Sequence, residues 1–87
     1  MSVKVTIETA SKAEAELIAE ELPGGPGAES WRGFGVIRVV ARDKHDLKEL
    51  IDRVSQGFQA HRLQWTRVRY DDEERVFKAN GNGHRAA

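Results

Sequence analysis

Apolar and polar positions change rhythm repeatedly along this chain, and each change marks an element. Val3, Val5 and Ile7 alternate with Lys4, Thr6 and Glu8, a period of two that describes a strand with one face in a core and the other in water. From Ser11 the period lengthens. Ala13, Leu17, Ile18 and Leu22 recur at helical intervals, Ser11 and Glu14 have capping-box spacing, and Pro23-Gly24 stops the run, so a helix is predicted over 11–22. Gly24-Gly25-Pro26-Gly27 reads as loop, because glycine loses the most backbone entropy on ordering and proline lacks a donor.

Phe34-Gly35-Val36-Ile37-Arg38-Val39-Val40-Ala41 is apolar at both parities, the mark of a central strand, and Gly33 and Gly35 at its start predict a bulge or a close backbone approach. Asp43 then caps a helix over 44–61 whose Leu47, Leu50, Ile51, Val54 and Phe58 fall at successive threes and fours. Gly57 inside it predicts tight packing against a neighbour. Two further strands, 63–70 and 75–79, flank Asp71-Asp72-Glu73-Glu74, too short a gap for a third helix. Thr66, Val68 and Tyr70 share one face of the first, and Trp65, Arg67 and Arg69 the other. The acidic turn is solvated and reads as edge protection. Residues 1–80 are expected to form one domain, and the polar, glycine-rich 81–87 a flexible tail.

The expected class is α/β (α+β): a two-layer sandwich, β-α-β-α-β-β, with a mixed four-stranded sheet and both helices on one face, since right-handed crossovers in one direction stack them together. If Val5, Ile7, Ile37, Val39 and Val68 face the helices, the opposite face displays Phe34, Val36, Arg38, Val40, Trp65, Arg67 and Arg69. The order of elements resembles that of the Alba-like chromatin proteins and of the C-terminal domain of translation initiation factor three, which implies a sheet with the last strand between the second and third. The hairpin over 63–79 is similar to the one closing the effector-associated domains of bacterial conflict systems.

Composition narrows the function. With 87 residues the chain has room for one core, of a size that is often supplemented by disulfides, metals or self-association. Cysteine is absent, which removes the first of these. Fourteen basic and fourteen acidic side chains cancel, unlike the balance of a dedicated nucleic-acid binder. The acid is concentrated early: residues 1–29 hold two lysines and six glutamates, so the remainder is basic by the same margin. No apolar run approaches the roughly 18 residues of a membrane span, and no secretory leader is evident, so a cytoplasmic protein with no membrane partner is expected.

Catalytic motifs are missing from the pattern. His45 and Glu49 stand one helical turn apart but supply two ligands where a closed zinc site takes four, and His61 suits a helix C-terminus. No serine has a base spaced to activate it. The expectation is a non-catalytic domain with no cofactor and no metal, acting as a self-associating (dimeric) or partner-binding module through Phe34, Val36, Arg38, Val40, Trp65, Arg67 and Arg69. The alternative is single-stranded RNA binding on the same face, with Trp65 stacking on bases and the arginines on phosphates.

Overall fold

A computed structural model describes residues 2–79. The elements are β1 (Val3–Thr9), α1 (Lys12–Glu20), β2 (Ala28–Trp31), β3 (Phe34–Ala41), α2 (Lys44–Ala60), β4 (Trp65–Tyr70) and β5 (Glu73–Lys78). The expected tail, 81–87, lies outside the described residues.

The fold is α+β, with two helices against one sheet, but the sheet has five strands and is antiparallel throughout, in the order β2-β3-β1-β4-β5. The expected mixed, four-stranded sheet is therefore corrected. The difference starts at β2. Ala28-Glu29-Ser30-Trp31 has no β-branched residue and little burial of its own, and it becomes a strand only by pairing with β3. Arg32 and Gly33, at φ 52° and 89°, form the two-residue turn between them, so Gly33 serves a hairpin rather than a bulge. Because that hairpin reverses the chain before β3, β3 runs antiparallel to β1. Each helix then crosses over an intervening strand, the split βαβ arrangement of ferredoxin-like folds. The last strand lies at the edge beyond β4, not between the second and third as the Alba-like order implies.

Both helices share one core. Val5, Ile7, Ile37 and Val68 from the sheet meet Ile18 from α1 and Val54 from α2, all essentially without solvent contact. Ser11 caps α1 by accepting the Glu14 N–H at 3.2 Å, but the Glu14 carboxylate accepts the Gln64 N–H at 3.2 Å and ties α1 to the approach of β4, leaving half a capping box. Asp43 caps α2 from 2.8 Å, and His61 is its C-cap residue. Two close approaches hold α1 in place. A Cβ on Gly35 would collide with the Ser11 carbonyl and Ala15, and one on Gly57 would press on Ile18 and Glu21.

Candidate interaction surface

The face of the sheet away from the helices is set by strand alternation. In β1 it carries Lys4, Thr6 and Glu8; across the register Glu8 meets Val36 on one side and Arg67 on the other, while Thr6 meets Arg38 and Arg69. All seven residues singled out from the sequence stand on this face. They divide into parts.

Phe34, Val36 and Trp65 come together at one end. Phe34 and Trp65 start the strands on either side of β1, one residue beyond the pairs Thr9 makes with Gly35 and Thr66. With β1 ending there, the two rings meet across its terminus, 5.8 Å between centroids and edge to face. Val36 lies beneath, 5% exposed although it is not part of the main core. Trp31 completes the group. It pairs with Phe34 across the β2-β3 hairpin and carries the Arg32 guanidinium 5.0 Å from its ring. Trp31 is 54% exposed and Phe34 43%, whereas Trp65 is half-buried against Phe34 rather than folded over the end of α2. Val40 stands apart at the far end of β3, opposite Lys4 and 58% exposed.

Each of the three arginines already has a carboxylate. Glu8 Oε1 accepts from Arg67 at 3.3 Å and its Oε2 from Arg69 at 3.4 Å, and Glu29 accepts from Arg38 at 2.7 Å. Exposed pairs of this kind contribute about 0–1 kcal/mol each. Two carboxylates offset all but one of the three arginine charges. Arg67 Nε is buried without a hydrogen-bond partner, so its side chain is held by packing as much as by charge. Glu8, Trp31, Phe34, Val36, Trp65 and Arg67 line a shallow depression of ≈ 320 Å³.

Sequence reasoning missed Trp31 and Glu8. Trp31 sat between the loop at 24–27 and the strand from Phe34, in a stretch given no element, and the signal for it was Arg32-Gly33, a turn pair less familiar than Asn-Gly. Glu8 was placed on the correct face, but its two arginine partners depend on β4 being a neighbour of β1. His61 Nε2 lies 3.7 Å from Glu21 Oε2, joining the helix ends on the opposite side of the molecule, and among the described residues no histidine lines the depression. Among the described residues no group of three metal-ligating side chains converges, and no helix is long and apolar enough to cross a membrane. In comparisons with known proteins the chain matches no family model, no curated protein and no solved structure.

Proposed function

We propose that this chain is a cytoplasmic, non-catalytic association module whose open sheet face pairs with the same face of a second copy. The observation that carries the reading is the aromatic group at the end of that face: Trp31 and Phe34 remain in water while every other large ring on the sheet is at least half covered. Burying the exposed part of Trp31, on the order of 130 Å², is worth about 3 kcal/mol gross. Two copies with no net charge do not repel each other at long range.

Single-stranded RNA is the weaker reading because phosphates would have to displace Glu8 and Glu29 from all three arginines. Five strands at about 4.8 Å spacing and six or so residues long give a footprint of roughly 500 Å² per copy, against roughly 800 Å² in a standard interface. Face-to-face pairing alone is thus of the weaker class. The Trp31→Ser variant tests it by sedimentation equilibrium. Trp31 is exposed, so the fold is expected to keep its circular dichroism. A loss of about 2 kcal/mol from each copy is expected to raise the face-to-face dissociation constant about a thousand-fold and halve the solution mass. An unchanged mass across a concentration series refutes the face as an interface.

A further inference from the structure

The two edges of the sheet are unequal. β2 has four residues behind a glycine-proline loop, a blunted edge, whereas β5 runs for six residues with nothing paired along its outer side among the described residues. β5 also overhangs the helices. Its inward contact is Phe77 on Phe58, ring centroids 5.8 Å apart, and a groove of ≈ 890 Å³ opens between it and the end of α2.

The hydrogen-bond pattern fixes which backbone groups are free. Tyr70 pairs with Glu73 across a two-residue turn, and the Ala79 N–H donates to the Gln64 carbonyl at 3.1 Å, so the odd residues 73 to 79 point their N–H and C=O groups at β4. Glu74, Val76 and Lys78 therefore point theirs outward. Their side chains all lie on the open face of the sheet, opposite Arg69, Arg67 and Trp65 respectively.

We propose that β5 is a second association surface, and that its occupant is β5 of another copy of this chain, paired antiparallel about a two-fold axis at Val76. In an antiparallel pair related by an axis normal to the sheet, facing residues must share both a sheet face and an outward backbone. Centring on Val76 satisfies both conditions: Val76 faces its own copy, and Glu74 faces Lys78 of the second copy at both ends. Each facing pair exchanges both backbone bonds, and each carries either apolar contact or opposite charge. On the helical side the same register sets Arg75 of one copy beside Phe77 of the other, at the mouth of the groove. Charges on β5 that would protect the edge against most strands are self-complementary in this register. The inference is independent of face-to-face pairing. Its axis is perpendicular to the one that pairing would use, and where the two axes intersect the contacts together build a closed tetramer of two ten-stranded sheets.

The experiment compares full-length chains in the Trp31→Ser background, which removes the face contact. Trp31→Ser alone is expected to sediment as a dimer, Trp31→Ser/Glu74→Lys as a monomer, and Trp31→Ser/Glu74→Lys/Lys78→Glu as a dimer again. Equal mass for the first two, whether dimer or monomer, overturns the edge proposal. A failure of Trp31→Ser to lower the mass of the unsubstituted chain refutes only the face reading. Residue-resolved amide exchange on the unsubstituted chain gives the second measurement. Protection at Glu74, Val76 and Lys78 is expected to rise with protein concentration, while Arg75 and Phe77 are protected throughout. Concentration-independent exchange at the three even positions overturns the proposal.

Discussion

Replacing Gly35 by alanine places one methyl group where β3 and α1 touch. The added Cβ would stand 2.6 Å from Ala15 Cβ and closer still to the Ser11 carbonyl oxygen and Thr9 Oγ1. None of these is the end of a flexible chain. The Ser11 carbonyl accepts the Ala15 N–H at 3.1 Å as the first hydrogen bond of α1, and Thr9 and Ala15 are fully buried. Ordinary contact can return only if the start of α1 lifts from the sheet by about 1 Å, loosening Ile18 and its neighbours in the core. Overpacking of this kind costs about 1–3 kcal/mol and occasionally more, and the rigidity of all three partners argues for the upper end, about 3 kcal/mol. A domain of this size holds roughly 4–13 kcal/mol in total. The expected fall in melting temperature is about 12–24 °C at a fixed protein concentration, followed by circular dichroism. Gly33→Ala serves as the control, since nothing lies within 4 Å of its Cβ and only the left-handed backbone penalises it, by about 1–2 kcal/mol. A Gly35→Ala variant that melts within about 4 °C of the unsubstituted protein refutes the packing argument.

Two further outcomes follow from the same contacts. Gly57→Ala is expected to change stability by less than about 1 kcal/mol in urea titrations, because the helix gains about that much from alanine while Ile18 Cδ1 and Glu21 Cγ, at 3.2 and 3.1 Å, need to give way only slightly to restore ordinary contact; a loss above about 3 kcal/mol means that they do not. Glu8→Gln removes the carboxylate shared by Arg67 and Arg69, so retention on single-stranded RNA at low salt is expected from this variant and not from the unsubstituted protein. Equal retention by both, abolished by salt, would shift the functional reading to nucleic acid.

What the sequence determined by itself is local. The two helices, the caps at Ser11 and Asp43, and the sorting of side chains to the two faces of β1, β3 and β4 were legible, because period and capping act within a few residues of one another. That sorting placed Val36, Arg38, Trp65, Arg67 and Arg69 on a common face without knowledge of strand order. Only the tertiary structure decided which strands are neighbours. β2 exists because β3 supplies its partners, and its arrival turns the sheet antiparallel and brings Trp31 to Phe34. Phe34 meets Trp65, and Glu8 meets two arginines, because β1 lies between β3 and β4. Alternation is a property of one strand and repeats every two residues, whereas pairing is chosen among segments far apart in the chain, as Val5 and Tyr70 are, by the burial that the whole sheet achieves, and no single segment carries that choice.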